Sequence, residues 1–369
     1  MKSTVNNWLK MLKKYEQNHP VLIMIWTALA VILIVAVILV AAFTFYYFKT
    51  SDKQYVQFGD QTFSIAINEL YGGDHYTEAE LQDVSTLEIT GYSELTDISD
   101  LRYFPNLTEL TINDCAVEDI SVLKELENLK RVNLTDNNIK DLSVLEECPQ
   151  LEELTINNNQ IEDLSPVATL QDLKFLSISD NNISEIPPEI QSLQMLNYID
   201  VSRNRLVNID NLSNLESLTQ LYAASNKISR TPSLIGLNSL QIFNLGDNAL
   251  EELGYMGNFN QLQELNLSDN YISSFEVLAG CPNLIRLNIS YNQFTSLEGI
   301  LTCDRLEYLD IRGTDIMDVE ILENLSNFNT IYVDDDFDRT QLDFMIGNFR
   351  NGDIKTKQYL LEKQYNLEN

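Results

Sequence analysis

From Val84 onward the apolar residues return in one pattern, L-x-x-L-x-L-x-x-N. Units begin at Val84, Leu107, Leu129, Leu151, Leu173, Leu196, Leu218, Leu240, Leu262, Leu284, Leu306 and Phe328, in steps of 22 or 23 residues. In the unit "LEELTINNNQIEDLSPVATLQD", two spacings follow each other. Leu154 and Ile156 alternate with Glu153, Thr155 and Asn157, which predicts a short strand with one face inward. Ile161, Leu164, Val167 and Leu170 then predict a return path that buries its apolar side. One such unit cannot enclose a core. Stacked units share one, so the repetition predicts a solenoid with a parallel sheet. A period of 22 leaves too few residues for a full helix on the return. The Asp-x-Ser segments at 119–121, 141–143 and 163–165 predict short 3₁₀ turns there instead.

The ninth position of the unit is Asn137, Asn159, Asn181, Asn204, Asn226, Asn248, Asn270 or Asn292. An amide carries two donor hydrogens and an acceptor, so a buried column of them is expected to satisfy the open backbone groups of the turn. Asn157 and Asn158, by contrast, are expected to face solvent with no structural duty. The column stops at both ends, where Tyr92, Cys115, Thr314 and Asp336 stand.

Ahead of the repeats, residues 21–48 contain no charge. As a helix they would extend about 42 Å, beyond a hydrocarbon core of about 30 Å, so they predict a single transmembrane helix. "FTFYYF" at Phe43–Phe48 reads as an interfacial aromatic belt. A cleaved signal peptide is the alternative, with Val40 and Ala42 as its small residues. Lys2, Lys10, Lys13 and Lys14 precede the run and Lys49 and Lys53 follow it. This predicts a cytoplasmic N-terminus, an extracytoplasmic repeat domain and a single-pass cell-membrane protein. The expected organisation is a cytoplasmic segment 1–20, the helix 21–48, a linker 49–55, a helical N-terminal cap 56–83, repeats 84–336, and a helical C-terminal cap and tail 337–369. The first cap rests on Phe63, Ala66, Ile67 and Leu70 at helical spacing, ended by Gly72–Gly73. The second rests on Leu342, Met345, Ile346 and Phe349.

The twelve-fold repeat is that of leucine-rich-repeat proteins. The 22-residue units reading "N-x-I-x-D-L-S-x-V/L", with a helical cap before them, resemble internalin-like proteins of Gram-positive bacteria. The similarity covers about residues 56–336. It implies an α/β repeat solenoid, a horseshoe with the parallel sheet on its concave face, and a protein-binding role at the cell surface. One unit, "ISEIPPEIQSLQM", resembles a different repeat subtype.

Charge narrows the partners. Acidic residues number 55 against 24 basic, a net charge of −31. Such a surface repels nucleic acid and anionic lipid and points to a protein partner that is itself basic, near the membrane if the anchor holds. Only His19 and His75 are histidines. No phosphate loop, nucleophile elbow or zinc pattern is present, so neither an enzyme nor a cofactor is expected. Asp334–Asp336 with Asp338 lack calcium-loop spacing and read as a solvated acidic edge. Cys148, Cys281 and Cys303 share the twentieth position of the unit with leucines. That register makes them apolar fillers, with only Cys281 and Cys303 close enough to bridge.

Candidate binding residues are those the pleat turns outward. Phe175, Tyr198, Tyr222 and Ile242 fall in four consecutive units, with Arg203 at their edge. Arg286, Tyr291, Tyr308, Arg312 and Tyr332 form a second cluster toward the C-terminal end. Aromatic and arginine clusters of this kind anchor protein interfaces, and core packing does not account for them. Two other roles fit the same surface: a self-associating envelope scaffold, and a sensor of wall material or peptide.

Overall fold

A computed structural model of the 369-residue chain describes residues 6–7, 10–11, 14, 20–51, 54–230, 232–253, 259–274, 278, 281–334 and 337. The chain divides into two compact units, residues 1–56 with 75–78, and residues 57–74 with 79–369.

The first unit contains helix α1, Pro20–Ser51. Its described side chains over 28–44 are exposed. Among the described residues no helix is long and apolar enough to cross a membrane. This corrects the expectation of a transmembrane helix over 21–48, and with it the single-pass localisation and the orientation drawn from the lysines. A spanning helix needs about 20 consecutive apolar residues, and no helix meets that requirement among the described residues. The unit also holds an isolated antiparallel bridge between Tyr55 and Thr77. There the Val56 amide donates to the Tyr76 carbonyl at 2.8 Å, and the Tyr55 and His75 rings meet edge-on at 5.2 Å.

The second unit contains helix α2, Gln61–Tyr71. Asp60 caps its start by accepting from the Phe63 amide at 2.8 Å, and Gly72 ends it in the left-handed conformation, φ 69°. Phe63, Ala66 and Ile67 are its buried face. A short helix α3, Glu78–Gln82, buries Leu81. Next come twelve strands: β1 Thr86–Thr90, β2 Glu109–Asn113, β3 Arg131–Asn133, β4 Glu153–Thr155, β5 Phe175–Ser177, β6 Tyr198–Asp200, β7 Gln220–Tyr222, β8 Ile242–Asn244, β9 Glu264–Asn266, β10 Arg286–Asn288, β11 Tyr308–Asp310 and β12 Thr330–Tyr332. They form one sheet in chain order, and every neighbouring pair is parallel.

Register runs unit to unit, so the same repeat position lies side by side along the sheet. The middle residues, such as Leu154, Leu176, Ile199 and Leu221, are buried. After each of β2–β10 the chain turns sharply through a left-handed residue, at Asp114, Asp136, Asn158, Asp180, Arg203, Ser225, Asp247, Asp269 and Tyr291, and after β1 and β11 through Gly91 and Gly313. These are asparagine and aspartate in most units, the side chains that tolerate that conformation best after glycine.

The ninth-position asparagines then do what their chemistry predicts. The Asn270 Nδ2 donates to the Leu245, Leu267 and Ser268 carbonyls at 3.0–3.1 Å. Its Oδ1 accepts from the Leu250 amide at 3.0 Å. The same set recurs at Asn137, Asn159, Asn181, Asn204, Asn226, Asn248 and Asn292. Where the column stops, the replacements make part of it. The Thr314 hydroxyl donates to the Ile311 carbonyl at 2.6 Å, and the Cys115 thiol to the Asn113 carbonyl at 3.3 Å.

On the return path, 3₁₀ segments form at Ser121–Glu125, Ser143–Glu147 and Ser165–Thr169. The carboxylates of Asp119, Asp141 and Asp163 accept from the amides of Ser121, Ser143 and Ser165, each at 2.8 Å. All four cysteines are free thiols; Cys148, Cys281 and Cys303 are buried and Cys115 is half-buried. The expected C-terminal cap at Leu342, Met345, Ile346 and Phe349 lies outside the described residues, as do Asp335, Asp336 and Asp338. Asp334 accepts from the Gly313 amide at 2.6 Å.

Candidate functional site

The pleat brings the outward residues of neighbouring strands into direct register. Phe175, Tyr198 and Ile242 are the first residues of β5, β6 and β8; Tyr222 is the last residue of β7. All four are half-buried. The rings of Phe175 and Tyr198 stack at 4.2 Å with planes 10° apart. Tyr222 meets Tyr198 at 5.4 Å, tilted by 41°. The three rings are thus one aromatic surface across β5–β7, of the kind whose pairing stabilises by about 0.5–1.5 kcal/mol. Ile242 is set apart: its register neighbours are Gln220 and Glu264. The Tyr222 hydroxyl donates to Gln220 Oε1 at 3.1 Å, which fixes the ring across the gap.

The hydroxyls of this strip stay protonated. Burial, then the nearby carboxylate of Asp200, then Tyr222 push Tyr198 up to about 12. Burial, then Glu264 and Asp200, raise Tyr222. The surface therefore offers neutral rings with hydroxyl donors, bordered by acids. Arg203 is not on the sheet face. It occupies the left-handed turn after β6, φ 53°, exposed and 3.6 Å from Asp180.

The second cluster is more tightly knit. Arg286 lies over the Tyr308 ring at 5.6 Å, Tyr308 meets Tyr332 at 5.0 Å, and Arg312 lies over Tyr332 at 5.4 Å. Arg286 is also 3.3 Å from Glu264. Arg312 forks onto Asp310 through Nε at 2.9 Å and Nη2 at 2.5 Å. Asp310 is only 1% exposed. That hydrogen bond raises the Arg312 pKa, and burial, followed by Tyr332 and Asp310, raises Tyr308. Arg312 balances a buried carboxylate and is committed to it. Tyr291 occupies another left-handed turn, φ 54°, with its ring against Gly313, where a Cβ would fall 2.4 Å from it.

Three features of the face escape simple reading of the repeat. Asn157 is not idle: its Oδ1 accepts from the Ser179 amide at 2.8 Å and the Ser177 hydroxyl at 2.9 Å. Asn158 is the left-handed turn residue, φ 50°, and donates to Asp136. Glu152 bridges Lys130 and Lys174, each at 2.6 Å, and these two partners hold its pKa down to about 2. The alternation of polar residues marked these positions as outward, but not which neighbour each would reach. Among the described residues no cluster of histidine, cysteine and carboxylate groups is arranged to hold a metal ion.

This architecture, short parallel strands joined by asparagine-lined turns, defines a leucine-rich-repeat solenoid. The family model described as a leucine-rich repeat region matches residues 132–326, more than half of the chain, and the protein belongs to that family. It is internalin-like. An internalin, inlF, from Listeria monocytogenes is 25% identical over 76% of this chain and 96% of its own, with a TM-score of 0.58. The functional domain of InlJ from the same organism, described as including a cysteine ladder, shares the fold. It is 17% identical over 76% of this chain and 72% of its own, with a TM-score of 0.57. A chain from the octameric complex of Latrophilin 3, Unc5D and FLRT2 (LRR) also shares the fold, 21% identical over 67% of this chain and 85% of its own, with a TM-score of 0.55. No curated protein matches the chain in sequence.

Proposed function

We propose that this protein binds another protein through the outward face of its sheet, with Phe175, Tyr198 and Tyr222 as central anchors and Ile242 beside them. The observation that carries this reading is the three-ring surface across β5–β7. It is placed on the face opposite the core, so its apolar area is surplus to folding and available to a partner. Arg286, Tyr308 and Tyr332 supply a secondary anchor, with Arg203, Tyr291 and Arg312 at the rim. The comparison proteins include one whose leucine-rich-repeat chain stands in a complex with other proteins, which supports protein binding as the general role. The net charge of −31 favours a partner with a basic surface, and added salt should then slow association more than it speeds release.

The test is site-specific photo-crosslinking in the native cell. A photoreactive phenylalanine derivative replaces Tyr222, and in a second strain it replaces Ile235, an exposed residue of the return path. A discrete crosslinked protein from position 222 and none from 235 is the expected result. Equal crosslinking from both positions would move the site off this face. Crosslinks only to a second copy of the chain would favour the self-associating scaffold.

A further inference from the structure

One stretch of the sheet face has a chemistry unlike the rest. The last residues of β8, β9 and β10 are Asn244, Asn266 and Asn288, direct register neighbours. Each Oδ1 accepts from the amide two residues on, those of Gly246, Ser268 and Ser290, all at 3.0 Å. Among the described residues none of the three Nδ2 groups has an acceptor, although the side chains are half-buried. The small residues that follow leave room for this. A Cβ on Gly246 would fall 3.0 Å from both the Asn266 Nδ2 and the Ser268 hydroxyl. The result is a ledge of three amide donors, spaced by the strand separation of about 4.8 Å. Elsewhere in this column the outward residue is charged, aromatic, a hydroxyl or, at Asn133 alone, a single amide.

The borders restrict what can lie on it. Tyr222 is next to Asn244, and Asp310 with its Arg312 is next to Asn288. Asp247 and Asp269, in the left-handed turns, are exposed and have no basic partner among the described residues. An anionic ligand is repelled. On the side of β11 and β12 a sugar chain finds its ring faces taken, because Arg286 covers Tyr308, Arg312 covers Tyr332, and Gly313 backs Tyr291.

We infer that the ledge receives an extended segment of the partner polypeptide. Its main-chain carbonyls accept from the Nδ2 groups, and its basic side chains face Asp247 and Asp269. This rests on the protein-binding reading above and specifies its chemistry. Half-buried donors cost free energy while unpaired, and a neutral main-chain acceptor relieves that cost without a charge of its own.

The test uses a phage-displayed library of random 12-residue peptides, selected on the wild-type chain. Asn266→Asp is the informative variant. Asp200 and Asp310 already hold the equivalent turn bond in this chain, to the amides of Ser202 at 2.9 Å and Arg312 at 3.2 Å. The substitution therefore keeps the turn, removes the donor and adds one negative charge. Asn133→Asp adds the same charge far along the sheet, at a residue whose Oδ1 accepts from the Thr135 amide. Selected peptides should be rich in lysine and arginine. They should bind Asn266→Asp about tenfold more weakly, the worth of one well-formed hydrogen bond, and Asn133→Asp unchanged. Charge alone would act in the opposite direction, because an added carboxylate attracts a basic peptide. Equal or tighter binding to Asn266→Asp overturns the inference, as does a library that yields no binder while a glycan array does. Peptides that lose affinity only with Tyr198→Ala and Tyr222→Ala would leave the aromatic site standing and remove the ledge.

Discussion

Two columns of asparagine share the units of β8, β9 and β10, four residues apart in each, and they behave in opposite ways. Asn270 lies inside the turn with its amide fully used, three carbonyls on Nδ2 and one amide on Oδ1. Asn266 lies on the sheet face with its Oδ1 used and, among the described residues, no acceptor for its Nδ2. The residue type is the same and the period is the same. What differs is the direction of the side chain relative to the turn, so one column is structural and the other is left with donors to spare. Composition alone would treat them as equals.

Asn270→Ala breaks the comparison most severely. It strands a buried amide and several carbonyls at once, each worth about 1–3 kcal/mol when unsatisfied. The urea midpoint should report a loss of about 3 kcal/mol or more. Asn157→Ala should cost less, about 1 kcal/mol, because the Ser179 amide and Ser177 hydroxyl that it serves are only partly buried. A cost near zero would return Asn157 to the idle class. Tyr198→Ala removes one stacked and one tilted ring contact and should cost about 1 kcal/mol by the same measurement. Asn266→Asp should stay within about 0.5 kcal/mol of wild type.

The buried thiols give an effect that is absent at neutral pH. Burial pushes Cys148 and Cys303 up to about 11 and Cys281 to about 12, from an ordinary value of 9.0. The unfolded chain therefore releases these protons first. Their stabilising contribution is complete below about pH 9 and is lost as pH rises through 11–12. Urea midpoints should fall above pH 9, and less steeply in a variant with all three replaced by alanine. At neutral pH, maleimide should label these three cysteines only after unfolding, and reductant should not increase the number of labels.

Much of the fold was legible because its signals are periodic. Leu154 and Ile156 mark a strand's inner face, and Asn159 marks the turn that follows, in unit after unit. The 3₁₀ segments were legible from Asp141 and Ser143, whose hydrogen bond needs only local geometry. The duty of Asn157 was not, because its partners Ser177 and Ser179 belong to the next unit and the pairing depends on register. The same holds for the face. Phe175, Tyr198 and Tyr222 were recognisable as outward aromatics, but the 4.2 Å stack and the separation of Ile242 by Gln220 depend on which strand positions coincide. Arg203 reads from spacing as the edge of the strip and Tyr291 as a member of the second cluster, but the left-handed turns that both occupy depend on backbone conformation that spacing does not show. The apolar run 21–48 reads as a membrane span from its lack of charge alone, and this is corrected: among the described residues no helix is long and apolar enough to cross a membrane.

The central claim is that the aromatic face serves a partner rather than the fold. It is tested most directly by the Tyr198→Ala and Tyr222→Ala variants, each examined for its urea midpoint and for its affinity toward the protein crosslinked from position 222. The account predicts a stability loss of about 1 kcal/mol or less in each, with affinity about 30-fold weaker, the usual consequence of removing an interface anchor worth about 2 kcal/mol. Wild-type affinity in both variants, with the fold intact, would contradict it.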